Sequence, residues 1–147
     1  MKIQTASGQA TEPKRVVPIP TPETKPFWQG TREGILRLQR CDACEHVYFP
    51  PRPFCPKCAG RAVTWFAASG RGSLYSYVIN HRPAPGFEAP YSIAVVQLDE
   101  GPRMLTNIVD CPQTPEALAL DMPVEVVFRA LSDEIMLPLF RPSQVAK

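Results

Sequence analysis

Four of the five cysteines fall in two C-x₂-C pairs, Cys41-Asp-Ala-Cys44 and Cys55-Pro-Lys-Cys58, ten residues apart. A C-x₂-C turn lets two thiolates converge on one ion while backbone N–H groups point at the sulfurs. Two such turns on facing hairpins complete a tetrahedral sphere, with Zn–S distances of about 2.3 Å. A lone pair would be a weak signal; two in tandem, a hairpin's length apart, are a strong one. Cys41, Cys44, Cys55 and Cys58 are therefore read as the ligands of one Zn²⁺. Iron in a rubredoxin-like site is the alternative, and the close pairing on a short ribbon favours zinc. Four thiolates saturate the ion and leave no place for a catalytic water, so its role is structural.

The other residues that could do chemistry are few. His46 lies two positions past Cys44 and is read as a strand residue. His81 follows a strand and is read as a surface histidine, and Cys111 as a packed thiol with no histidine beside it in sequence. No G-x-S-x-G, P-loop, G-x-G-x-x-G or H-E-x-x-H pattern occurs. The chain is not expected to be a catalyst by itself.

The elements that must carry these residues fit one ordinary domain or two very small ones in 147 residues. Pro13, Pro18, Pro20, Pro22 and Pro26 crowd the start, where they preclude a long helix or a central strand. Residues 1–23 are read as an extended or disordered tail, one that could lie on a partner. Residues 24–34 read as a short helix, with Thr24 as its cap, Pro26 in the first turn, and Phe27 and Trp28 on one face. The two aromatic residues either dock on the body or form a partner contact. Residues 35–66 form the metal module. From there the pattern turns to strands at Ser73–His81, Tyr91–Leu98, Arg103–Val109, Pro123–Ala130 and Ile135–Phe140. Gly70-Arg71-Gly72 reads as a turn before them. Thr114-Pro115 opens a short helix between the third and fourth strands. Five strands with a helix at that connection suit an OB-fold over residues 67–141, with a small sandwich or an SH3-like barrel as alternatives. Residues 142–147 are a second tail. The fold class is mainly β: short N-terminal helix, Cys₄ zinc ribbon, five-stranded OB-fold barrel.

Charge narrows the function classes. Residues 1–26 carry four basic and two acidic groups, so the rest of the chain is neutral, with twelve of each. A neutral body is a poor footprint for nucleic acid. Tyr75, Tyr77 and Tyr91 could still stack on a single strand, so a nucleic-acid-binding OB-fold is kept as the alternative function. No apolar run reaches 18 residues and no secretory h-region opens the chain, so no membrane span is expected and the cytoplasm is the expected location.

Taken in order, Lys25-Pro26-Phe27-Trp28, the run Leu38–Cys58, Ser69–Tyr77, Tyr91–Gly101 and Met122–Val126 resemble one family. It is the rubredoxin-like zinc-ribbon plus OB-fold family of acyl-CoA-associated proteins, accessory subunits of thiolase-superfamily enzymes. The likeness covers roughly residues 24–141. Glu45 and Asp121 stand where that pattern leads one to expect glycine. The resemblance implies a non-catalytic subunit that binds a thiolase-like partner in a hetero-oligomer. It would help form the acyl-CoA site for thiolysis, acyl transfer, Claisen condensation or retro-aldol cleavage of a CoA thioester. It makes Arg52, Lys57, Arg61, Arg71 and Arg82 candidates for the CoA phosphates. Phe87, in the proline-stiffened loop Pro83–Pro90, becomes a candidate partner or acyl-CoA contact beside Phe27 and Trp28. An acyl-CoA binder that works without a partner is a further alternative.

Overall fold

The computed structural model describes residues 15–144. The expected tails therefore fall partly outside the described residues, at 1–14 and 145–147. Residues 15–21 form no helix or strand.

Helix α1 spans Lys25–Arg32. Thr24 precedes it, but its side chain makes no capping bond. Its hydroxyl instead accepts from the Thr21 N–H at 2.9 Å, and the Thr21 carbonyl takes the N–H of Lys25, so a turn replaces the expected cap. The C-terminus closes as a Schellman motif. The Ile35 N–H reaches the Gly30 carbonyl at 2.8 Å and the Gly34 N–H the Thr31 carbonyl at 3.2 Å. Gly34 takes φ +75°, which that motif requires.

The ribbon is a three-stranded antiparallel sheet of β1 (Arg37–Cys41), β2 (Val47–Tyr48) and β3 (Val63–Ala67), with β1 in the middle. The sequence pattern marks the first two. β3, which pairs with β1 over five residues, is not among the expected strands, although Val63-Thr64-Trp65-Phe66 is a β-branched and aromatic run between Gly60 and Gly70.

The barrel strands are β4 (Arg71–Asn80), β5 (Tyr91–Leu98), β6 (Arg103–Thr106), β7 (Pro123–Ala130) and β8 (Met136–Pro142), in the order β6-β5-β4-β7-β8. This curled sheet closes where Ile108 meets Phe140 in a parallel bridge, supported by the Val109 N–H on the Phe140 carbonyl at 2.8 Å. Four antiparallel pairings and one parallel closure give the Greek-key connectivity of an OB-fold. In β4 the register shifts between Leu74 and Ser76. That bulge changes which alternate residues face inward, from Gly72 and Leu74 to Tyr77 and Ile79.

Three further expectations are corrected. Arg71 and Gly72 lie inside β4 and are not a turn. The third barrel strand ends at Thr106, short of Val109, because side chains replace the ladder beyond it. Asn107 Nδ2 donates to the Ser92 carbonyl at 2.6 Å, and the Ile108 N–H to Ser92 Oγ at 3.0 Å, which frees Ile108 to cross to Phe140. Residues 114–118 make one turn and no helix. The Leu118 N–H reaches the Thr114 carbonyl at 3.0 Å, but the chain must return to β7 by residue 123, and Asp121 at φ 65° turns it there.

One core joins the two sheets. Phe27 of α1, Leu36 and Leu38 of the ribbon, and Leu74, Val96, Val124 and Phe140 of the barrel are packed together and almost fully buried. A second, small cluster holds only Cys41, Tyr48 and Cys55, with Cys44 and Val63 at its edge.

Candidate metal centre

Each cysteine pair sits on a turn of the same build. The Glu45 N–H bonds the Cys41 carbonyl at 2.9 Å, and the Ala59 N–H bonds the Cys55 carbonyl at 2.9 Å. The Cys41 N–H then takes the His46 carbonyl at 2.9 Å, as the Cys55 N–H takes that of Gly60 at 2.8 Å. Both turns end in a residue with left-handed backbone, Glu45 at φ 61° and Ala59 at φ 61°. The second aims backbone donors at sulfur: Lys57 N–H to Cys55 Sγ and Gly60 N–H to Cys58 Sγ, both at 3.4 Å.

The result brings four sulfurs within 4.8 Å of one another, with Cys41–Cys58 at 3.5 Å and Cys44–Cys55 at 3.7 Å. Tetrahedral Zn–S bonds require sulfur separations of about 3.8 Å. The four cysteines thus fit one tetrahedral ion. Cys41 and Cys55 are buried, whereas Cys58 faces solvent. Tyr48 packs on Cys41 and Cys55, and its hydroxyl is buried without a hydrogen-bond partner. Burial, then the charges of Cys55 and Cys41, push that phenol up. His46 precedes β2 and stacks on Tyr48 at 6.1 Å.

The candidate contact residues divide by place. Arg52 and Lys57 line one cleft of ≈ 550 Å³ between the cysteine turns and the β5–β6 hairpin tip. The buried Gln39 holds this segment by accepting the Arg52 N–H at 2.7 Å. Arg103 joins them on the cleft wall, a residue that sequence spacing did not single out because its approach depends on the hairpin. Glu45 and Glu100 also line it, and the Glu100 carboxylate accepts the Ser69 N–H at 2.7 Å. Glu100 is thereby a structural tie at the hairpin tip and not a free solvated carboxylate. Arg61, Arg71 and Arg82 are exposed elsewhere. Arg71 lies across from Glu125, and the Arg82 N–H bonds Asn80 Oδ1 at 3.0 Å.

The aromatic candidates are mostly engaged within the chain. Phe27 is a core residue, edge-on to Trp28 at 5.0 Å and tilted against Phe49 at 5.4 Å. Trp28 is half-buried on the wall of a groove with Leu105 and Leu137. Phe87 stacks on Tyr91 at 4.8 Å and is covered by the Arg15 guanidinium at 3.8 Å, so its loop does not hold it out as expected. Tyr75 lies beneath the Arg103 guanidinium at 3.8 Å, and Tyr77 packs on the core. The three tyrosines are therefore not a free stacking platform. Burial, then Asp110, push the Cys111 thiol up, which suits a packed thiol and not a nucleophile. Among the described residues no helix is long and apolar enough to cross a membrane.

The ChsH2 rubredoxin-like zinc ribbon domain matches residues 28–64, and the ChsH2 C-terminal OB-fold domain matches residues 65–129. The chain is 37% identical over 135 residues to a probable enoyl-CoA hydratase alpha subunit of Thermomonospora curvata, covering 90% of this chain and 42% of that protein. The chain thus spans under half the length of that relative. It is 44% identical over 113 residues to a DUF35 domain-containing scaffold protein of Methanocaldococcus jannaschii, covering 73% of this chain and 77% of that protein. It is 32% identical over 81 residues to the benzoylsuccinyl-CoA thiolase subunit BbsA of Thauera aromatica, covering 55% of this chain and 56% of that one. Among solved structures, a chain of the Ltp2-ChsH2(DUF35) aldolase superposes with a TM-score of 0.75 at 35% identity, over 86% of this chain and 98% of that one.

Proposed function

The chain belongs to the ChsH2 family of paired zinc-ribbon and OB-fold domains, and on that premise we propose that it is a non-catalytic accessory subunit of a CoA-thioester enzyme. It pairs with a thiolase-like catalytic subunit in the cytoplasm. Together they form the acyl-CoA site for thiolysis, acyl transfer or retro-aldol cleavage.

The observation that carries the reading is the recurrence of this ribbon-plus-barrel unit in proteins named as subunits or scaffolds. They include a hydratase alpha subunit, a thiolase subunit and a partner in an aldolase. The chemistry of the centre agrees. Four thiolates around one ion leave it no position for a substrate, so the metal holds a shape and the partner supplies the reacting groups. Arg52 and Lys57, with Arg103, are the best-placed cations for CoA phosphates, because they converge on one cleft.

The test is to purify the tagged protein from its native cytosol and identify what accompanies it. The expected result is a thiolase-like subunit, zinc on this chain, and CoA-thioester turnover by the pair but by neither alone. Recovery of this chain alone with its own turnover, or with bound RNA displaced by salt, would refute the reading.

A further inference from the structure

An antiparallel sheet with one face on the core and one in water alternates apolar and polar residues. Strand β5 does not. Its sequence YSIAVVQL turns Ser92, Ala94, Val96 and Leu98 inward and leaves Tyr91, Ile93, Val95 and Gln97 on the other face. A run of this kind is the mark of a strand covered on both sides. The neighbouring strands continue the pattern. Val78 lies directly across from Ile93, and Leu105 directly across from Val95. Val78 is 60% exposed and Leu105 73%, with Ile93 at 36% and Tyr75 at 47% beside them.

We propose that this outer face of β4, β5 and β6 is the docking face for the catalytic, thiolase-like subunit. The inference rests on the accessory-subunit reading and gives it a place on the molecule.

Two features point to a protein as the occupant. The first is area. The open parts of Tyr75, Val78, Ile93 and Leu105 amount to roughly 400 Å² of mostly apolar surface, within the range of the largest patch on a typical monomer, which is often functional. A stable interface buries about 800 Å² per partner, a little over half of it apolar. The face thus supplies about the apolar core that one such interface needs. The second is charge. No charged side chain interrupts the Val78–Ile93 and Val95–Leu105 rows, and one cation, Arg103, borders them across from Gln97. The Arg103 guanidinium donates to Gln97 Oε1 at 2.9 Å, lies over the Tyr75 ring and is not ion-paired among the described residues. The complementary surface is an uncharged apolar patch. A single nucleic-acid strand fits poorly, because Arg103 already occupies one face of the Tyr75 ring and Phe87 stacks on that of Tyr91.

The experiment uses the catalytic subunit that accompanies the wild-type chain, produced separately and titrated against Val78→Glu, Leu105→Glu and the milder Leu105→Gln. Leu120→Glu is the control, since Leu120 is 62% exposed in the turn before β7. Zinc content and thermal melting establish that each variant is folded. The expected result is affinity lower by about 100-fold or more for either glutamate variant, about tenfold for Leu105→Gln, and within threefold of wild type for Leu120→Glu. Glutamate variants that pair as well as wild type would overturn the docking face and leave the accessory reading standing. A wild-type chain that finds no catalytic subunit would overturn both. A wild-type homodimer that Leu105→Glu converts to monomers, with hetero-pairing unchanged, would assign the face to a second copy and overturn the inference.

Discussion

Substituting Ala59 by glycine should tighten zinc binding. Ala59 closes the second cysteine turn at φ 61°, where its N–H bonds the Cys55 carbonyl. The left-handed conformation costs an L-residue with a Cβ roughly 1–2 kcal/mol, and glycine escapes most of it. Part of that gain is returned because glycine is freer in the unfolded chain, which leaves about 1 kcal/mol. The small cluster of Cys41, Tyr48 and Cys55 has little apolar surface of its own, so the tip folds as it binds metal. Folding free energy is then binding free energy, and 1 kcal/mol becomes about a fivefold lower Kd for zinc. Glu45 occupies the equivalent place in the first turn, again at φ 61°. Glu45→Gly should add a similar factor, and both changes together about 25-fold. Glu45 also carries charge beside a thiolate cluster, so Glu45→Gln serves to separate charge from backbone. Asp121 at φ 65° is the control in the barrel. Asp121→Gly should raise the melting temperature slightly, because aspartate tolerates this conformation better than most residues, and leave zinc affinity unchanged. The assay is competition with a chromophoric chelator at fixed pH. An Ala59→Gly protein with unchanged or weaker affinity would refute the reasoning, as would an Asp121→Gly protein with an equal gain.

Chelating the metal, or replacing Cys55 by serine, should open the ribbon tip but not the barrel, because Leu36, Leu38 and Phe66 tie the rest of the ribbon sheet to the main core. Amide exchange should accelerate across residues 41–60 and stay slow in β5. Gly72→Ala should be among the most damaging single changes in the chain. Its Cβ would stand 2.4 Å from the Gln97 carbonyl oxygen and 2.9 Å from Val96 Cγ1, in a strand paired on both sides. A loss of about 3 kcal/mol or more is expected in denaturant unfolding, against about 1 kcal/mol for Gly34→Ala, where space is open and only φ is unfavourable. The folded chain holds the Cys111 proton more tightly than the unfolded chain does, since burial and Asp110 raise its pKa above the ordinary 9.0. Stability should therefore fall as pH rises past that ordinary value, and Cys111→Ala should flatten the fall. In zinc-loaded protein, slow alkylation of Cys111 at pH 7 provides a second check.

The amino-acid sequence alone determined whatever depends on near neighbours. Two C-x₂-C turns dictate the four ligands, because each turn converges its own pair of sulfurs. Alternation and turn residues placed the five barrel strands to within a few residues, and the glycine and proline signals placed α1. Even the positions where the family pattern suggests glycine, Glu45 and Asp121, were legible as special, and both prove to carry positive φ. Tertiary structure decided whatever depends on distant partners. Ile108 leaves its own ladder because Phe140, 32 positions on, offers another. Residues 114–118 stop after one turn because β7 must be reached. Phe87 is covered because Arg15, far off in sequence, lies over it. Arg103 joins Arg52 and Lys57 because a hairpin tip from the barrel meets the ribbon. Side-chain pattern encodes which face of a strand turns inward, but not which distant segment comes to cover it. That choice is a competition among long-range contacts, settled only when the whole chain packs.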